Sequence, residues 1–366
     1  MKKVHLLIAI LTVTYISAQA QFASLNSAEL GRLKSLLSTD ASAKATFETF
    51  RSAAARAVTE QPNPIERITS EGLLAGNPDK VKSLKAVEDA DKLYALALVY
   101  KVDGNKAYLA KAAGYLSAWA NINKSTGDPI DETKLEALYS AYDMIRDKVP
   151  ADVRKAVDNW LNSIADGEIN SKYAQPGKGT AINNWNSHRI KIIAMISYAL
   201  HNKSNYSLIQ HELEKQIAIN LFPDGSGRDF EDRDALHYHI YTLEPLLSAI
   251  TTIYRATGKD YFNYESPTGS SIRKSVDFLV PFVNGEKTHG EFLNSKSSFD
   301  RARAKNGEAG YIAGAKFKQE TGVYCLEQAA YFSNKYLAAV QAVTGDKYNS
   351  DWQVILNKIR QPFAAK

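Results

Sequence analysis

Apolar residues in this chain recur every three or four positions in one segment after another, and that spacing decides the fold class. Leu30, Leu33, Leu36 and Leu37 fall this way within 27–51, and Leu93, Leu96, Ala97 and Tyr100 within 86–102. Tyr108, Ala112, Tyr115, Leu116 and Trp119 follow within 106–120, then Leu135, Leu138, Tyr142 and Ile145 within 132–148. Each set lines one side of a helix. Similar spacing predicts helices over 151–165, 184–201, 206–221, 235–257, 272–282, 324–344 and 352–359. The joints are Gly-, Pro-, Asn- and Asp-rich, such as Gln61-Pro62-Asn63-Pro64 and Asp103-Gly104-Asn105. Strand-like alternation is scarce. Ten or so helices in successive hairpins are too many for one bundle and predict pairs stacked in a ring or solenoid.

The 366 residues, 45% of them hydrophobic, suffice for a large core, and the expectation is one domain over 21–366. Residues 1–20 read as an export signal: Lys2 and Lys3, an apolar run from Val4 to Ile16 too short to span a bilayer, then Ala18-Gln19-Ala20. A soluble periplasmic or secreted protein, without membrane insertion, is therefore expected. The one cysteine, Cys325, excludes a disulfide framework and a Cys-based zinc site, and reads as a core residue. A formal net charge of +5 suits an anionic partner. No Lys/Arg-rich run points to nucleic acid.

Two aperiodic stretches stand apart. Residues 72–85 carry Lys80, Lys82 and Lys85 and read as a polar surface loop or, alternatively, a lid over an anionic substrate. Residues 285–314 are polar and irregular, and long stretches of that kind commonly border a site.

Chemistry concentrates in two segments about fifty residues apart. The first is Asn183-Asn184-Trp185-Asn186-Ser187-His188-Arg189. On a helix Asn184 and His188 share a face, as do Trp185 and Arg189. Asn184 and His188 can hydrogen-bond a carboxylate, and His188 can serve as a base. Asn183 equally suits a helix cap. The second runs from Arg228 through Arg233-Asp234-Ala235-Leu236-His237-Tyr238-His239-Ile240-Tyr241. There His237, Tyr238 and Tyr241 lie near one face while His239 points elsewhere. A tyrosine near an arginine can work as base and then acid. Aromatic packing is the plainer reading of either tyrosine.

With Gly127-Asp128-Pro129-Ile130-Asp131-Glu132 and the continuation Thr242-Leu243-Glu244-Pro245-Leu246, these segments resemble the alginate lyase superfamily over roughly residues 70 to 260. The resemblance implies an all-α fold, an incomplete α/α toroid, and depolymerisation of a polyuronate. It implies Tyr241 as the catalytic tyrosine and Asn184 as the group that neutralises the substrate carboxylate. Two positions differ. Trp185 stands where the alginate lyases carry a histidine, with His188 a turn later, and Asp234 stands where they carry an arginine, with Arg233 just before it. Such shifts look more like branches that cut glucuronan and other polyuronates.

The chemistry expected is β-elimination without a cofactor or metal. Asn184, His188 and Arg233 neutralise the C-6 carboxylate, and Tyr241 takes the C-5 proton and protonates O-4. His188 or His239 is the alternative base. Asn183, Trp185, Arg189, His237, Tyr238, Lys80 and Lys82 are the candidate substrate-binding residues. The partner expected is an anionic polysaccharide met by a monomer. A glycoside hydrolase on the same scaffold would need two carboxylates across a cleft, and Glu231, Asp232 or Asp234 supplies only one. A non-catalytic glycan-binding protein is the third reading.

Overall fold

A computed structural model describes residues 21–360; the expected export signal at 1–20 lies outside them. Among the described residues the helices are α1 (Ser27–Thr39), α2 (Ala41–Thr59), α3 (Pro78–Asp103), α4 (Lys106–Ile122), α5 (Pro129–Glu132), α6 (Glu136–Ile145), α7 (Ala151–Ile169), α8 (Asn184–Ala199), α9 (Tyr206–Asn220), α10 (Arg228–Arg233), α11 (Leu236–Thr257), α12 (Ile272–Val283), α13 (Ser298–Lys305), α14 (Val323–Ala329), α15 (Leu337–Thr344) and α16 (Trp352–Arg360). A short antiparallel ladder pairs β1 (Gly290–Glu291) with β2 (Ala315–Lys316), Gly290 opposite Lys316. None of these helices is long and apolar enough to cross a membrane.

The architecture is an α/α toroid. Helices α3, α6, α8, α11 and α14 pack each against the next, and α4, α7, α9, α12 and α15 pack behind them. Helix α16 packs on α14, α1 and α2 and so brings the two ends of the run together. Helix α8 is the seam. Of its residues only Trp185 is not buried. Ile192, Met195 and Ile196 join the core of the first half, while Ile190, Ile193 and Ala194 join that of the second. An open cavity of about 740 Å³ is lined by Tyr94, Glu136, Met195, Ser248 and Tyr324 among others.

Several boundaries differ from the sequence reading, each for a local reason. The run 27–51 is two helices because the Asp40 side chain caps Ala43 and starts α2. Helix α3 begins at Pro78, capped by Asn77, so Lys80, Lys82 and Lys85 sit on a helix and not in a loop. The run 324–344 breaks between α14 and α15. The stretch 285–314 contains β1 and α13 and lies against the start of α11, as its polarity suggested.

Candidate active site

The two chemical segments meet because α8 and α11 are neighbours in the ring. Asn183 caps α8, its side-chain oxygen accepting from Trp185 N at 3.0 Å. That puts Asn184 and His188 on the same side of the helix, both buried, at 2% and 5% exposure. Helix α11 has no side-chain cap of its own. Glu291 of β1 fills that role, accepting from Leu236 N at 2.9 Å and His237 N at 3.0 Å. Asp234 precedes the helix with φ of +48°, a costly backbone for a non-glycine residue. Its side chain holds Asn294 N and Nδ2, both at 2.9 Å, and its carbonyl accepts from Phe292 N at 2.7 Å. The residue that replaces the family arginine thus clamps the 289–296 segment to the site.

Tyr241 stands at the centre. Its ring lies 4.3 Å from that of His188 and parallel to that of His237, 6.4 Å away. Its hydroxyl makes no hydrogen bond among the described residues. Burial raises its pKa above the ordinary phenol value, the Tyr311 ring adds to this, and the Arg303 charge opposes it. His188 Nδ1 pairs with Thr133 Oγ1 at 3.0 Å, and Nε2 is closed off from solvent. Pro245 donates no N–H to the Tyr241 carbonyl four residues back, and that carbonyl favours the charged imidazole. Burial outweighs it, with Lys191 and Lys134 adding, so His188 is held neutral. Burial likewise lowers His237 to about 4.

Asn184 donates Nδ2 to the buried carboxylate of Asp229 at 2.5 Å. Asn220 Nδ2 and Thr242 Oγ1 donate to the same carboxylate, each at 2.8 Å. One of the two amide N–H groups of Asn184 is used this way, and the other meets no acceptor among the described residues. Trp185, half-buried, packs on Tyr173 with centroids 4.8 Å apart at the rim. Two carboxyls within electrostatic reach of Tyr241 are raised by burial, Asp128 to about 6 and Glu244 to about 7.

Six expected site residues are placed otherwise. His239 lies two residues from Tyr241, about 200° around the helix. It is buried, its Nε2 2.9 Å from Ser275 O and its ring against Phe230 and Phe278, so it does not reach a substrate as a base. Arg189 is buried and spent on Glu212, Asn186 and the Glu168 carbonyl, a structural role. Arg233 is paired with Asp300, which is 2% exposed, and lies over the Tyr238 ring at 3.7 Å. Lys82 is exposed on α3, and Lys80, on the other side of that helix, bonds Leu73 O at 2.9 Å. Tyr238 is buried, its hydroxyl accepting from Arg233 Nη2 at 2.6 Å and Arg303 Nη1 at 2.9 Å. Residues unassigned from the sequence complete the surroundings: Thr133, Asp229, Glu291, Asp300, Arg303 and Tyr311. Their one signal was that the last four lie in the polar stretch 285–314.

A family model for alginate lyase matches residues 34–289, about two thirds of the chain. The chain belongs to the alginate lyase family. It is a polysaccharide lyase. Comparison with curated proteins finds no match. Among solved structures, an alginate lyase from Bacteroides ovatus is 17% identical, with 87% of this chain and 94% of that chain covered and a TM-score of 0.66. Alginate lyase A1-III from Sphingomonas species A1 is 19% identical over 86% of this chain and 89% of that chain, with a TM-score of 0.57. A variant of the Sphingomonas enzyme complexed with a tetrasaccharide is 20% identical over 83% and 94%, with a TM-score of 0.54. At these identities the likeness establishes the toroid alone.

Proposed function

We propose that this lyase cleaves a polyuronate by β-elimination, with alginate as the first substrate to test. The observation that carries the proposal is the Tyr241 hydroxyl, unpaired among the described residues, its ring against the neutral His188 and within reach of the Arg303 charge. Asn184, through its second amide N–H, and the neutral His188 hydrogen-bond the C-6 carboxylate and stabilise the enolate-like intermediate. The ionised Tyr241 removes the C-5 proton, and the phenol so formed protonates O-4 as the C4–O4 bond breaks. The cycle ends on the phenolate that began it. The matched family and the solved neighbours are named for alginate. Trp185 and Asp234 favour a related polyuronate such as glucuronan as the alternative substrate.

The test is the ultraviolet absorbance of the protein mixed separately with polymannuronate, polyguluronate, glucuronan and a glycosaminoglycan. A rise with polymannuronate or polyguluronate supports the alginate assignment, and a rise with glucuronan alone moves it. Reducing ends without a conjugated double bond overturn elimination. We also propose that the chain acts outside the cytoplasm, on the strength of the signal-like residues 1–20, and that it does so as a monomer. Fractionation of expressing cells checks the first point and light scattering the second.

A further inference from the structure

An enzyme of this kind needs a cation near the substrate carboxylate, and the position expected to give one holds Asp234. Arg233 is adjacent in sequence but committed. Its Nε donates to Asp300 at 2.7 Å, its Nη2 to the same carboxylate and to Tyr238, and Asp300 is buried beneath it. A guanidinium neutralised by a buried carboxylate has little attraction left for a second anion, and withdrawing it would strand Asp300.

Arg303 is differently placed. It enters from α13, beyond the stretch that the family model matches. Nη1 donates to the Tyr238 hydroxyl at 2.9 Å, which fixes the group. The guanidinium carbon lies 4.3 Å from the Phe299 ring centroid and 4.5 Å from that of Tyr311, so two aromatic faces hold it without neutralising it. Nε makes no hydrogen bond although it is buried. Glu308 stands 3.9 Å from it, with Oε1 already accepting from Ala75 N at 2.9 Å, and Glu71 lies within electrostatic reach without a hydrogen bond to it. Tyr311, under the guanidinium, packs in the small cluster that includes Tyr241. Arg303 is therefore oriented and has no carboxylate hydrogen-bonded to it, and its charge reaches Tyr241.

We infer that Arg303, and not Arg233, supplies the guanidinium that receives the uronate carboxylate beside Tyr241, while Arg233 positions Tyr238 and anchors Asp300. The inference rests on the polyuronate reading of the site. It makes α13 part of the binding machinery, and it gives the substrate carboxylate a planar partner that donates two parallel hydrogen bonds.

The experiment measures, for wild type, Arg303→Ala, Arg303→Lys and Arg233→Ala, the binding of a tetrauronate by intrinsic tryptophan fluorescence, the elimination rate and the thermal midpoint. Arg303→Ala is expected to keep the wild-type midpoint and to lose kcat/KM about 100-fold or more. Its affinity for the tetrauronate should fall and become less salt-dependent, and methylguanidinium should restore part of the rate. Arg303→Lys should recover less than half of the lost activation free energy, because a lysine cannot make the paired contact. Arg233→Ala is expected to lower the midpoint. Binding and rate unchanged in Arg303→Ala overturn the inference. So does a loss that comes with a lowered midpoint and no guanidinium rescue. If wild type binds the tetrauronate through Arg303 but forms no double bond, the elimination reading fails and the Arg303 assignment stands.

Discussion

His188 and Tyr241 face each other across the contact of α8 and α11 with ring centroids 4.3 Å apart, and the environment pushes their pKa values in opposite directions. His188 is held neutral and Tyr241 is held protonated, both chiefly by burial. If Tyr241 is the base, its working form is the minor one near neutral pH. The rate on polyuronate should then climb with pH through the alkaline range, for as long as the fold persists. A histidine base would instead give a rate that levels off in the acid range, since the imidazole is already neutral there. Rate against pH for wild type separates the two.

Tyr241→Phe should cut the elimination rate by about 10³-fold or more, the scale of a positioned acid–base group. Because the hydroxyl makes no hydrogen bond among the described residues, the thermal midpoint should stay near that of wild type. His188→Ala should reduce the rate by less and abolish no limb of the pH profile. A Tyr241→Phe protein that retains its rate removes Tyr241 from the chemistry.

The Arg233–Asp300 pair is a stability element. Asp300 also accepts from Ser295 Oγ at 2.5 Å, so removing its charge leaves the guanidinium and the Ser295 hydroxyl without their acceptor. Asp300→Ala should cost about 3 kcal/mol, as for other broken buried pairs. Denaturant unfolding measures this. Since both Arg233 and Arg303 reach Tyr238, the same variant should also loosen α13 against α11 and raise KM.

Trp185 occupies the place where a histidine was expected from the family, and it is the single residue of α8 that is not buried. With Tyr173 at 4.8 Å it forms an aromatic ledge at the rim, suited to the apolar face of a sugar ring. Trp185→Ala should raise KM about tenfold and leave kcat near wild type, because stacking acts on ground state and transition state alike. A fall in kcat with unchanged KM would place Trp185 closer to the reacting atoms than the rim.

Helix period and turn chemistry made the toroid legible, since apolar stripes at three and four survive in the sequence wherever a helix packs on a neighbour. Asn184, His188 and Tyr241 were legible for a related reason: their spacing on α8 and α11 is local. What the sequence hid is what long-range pairing decides. Nothing near Arg233 reveals that a carboxylate 67 residues away neutralises it. Nothing near Leu236 reveals that Glu291 caps the helix from 55 residues away. His239 shared a motif with Tyr241, and only its place on the far side of the helix removes it from the site.

The motif from Gly127 to Glu132 acts through a buried acid pair. Glu132 Oε1 accepts from Ser125 Oγ at 2.7 Å, Thr126 N at 2.6 Å and Gly127 N at 3.2 Å, which marks it as the ionised partner. Glu168, fully buried on α7 and close to the Glu132 charge, is held protonated, because neither of its oxygens meets a donor. Gly127 and Gly167 let the two backbones close in: a Cβ on Gly127 would lie 2.7 Å from Gly167 O. Burial and the Glu132 charge hold Glu168 well above the ordinary glutamate range, Asp128 pushes the same way, and Arg189 opposes them. A carboxyl whose folded pKa is raised adds stability in full below the unfolded value and loses it as pH rises to the folded one. Above the ordinary glutamate value of 4.5, the folded protein should therefore lose about 1.4 kcal/mol per pH unit through this residue alone. Glu168→Gln keeps a donor facing Glu132 at every pH and removes that dependence. Its thermal midpoint should be close to that of wild type at pH near 4.5 and exceed it by a margin that grows toward alkaline pH. A constant difference across that range would show that Glu168 is not protonated in the folded protein. Because Thr133, one residue after Glu132, bonds His188, the variant should also keep its activity to higher pH than wild type.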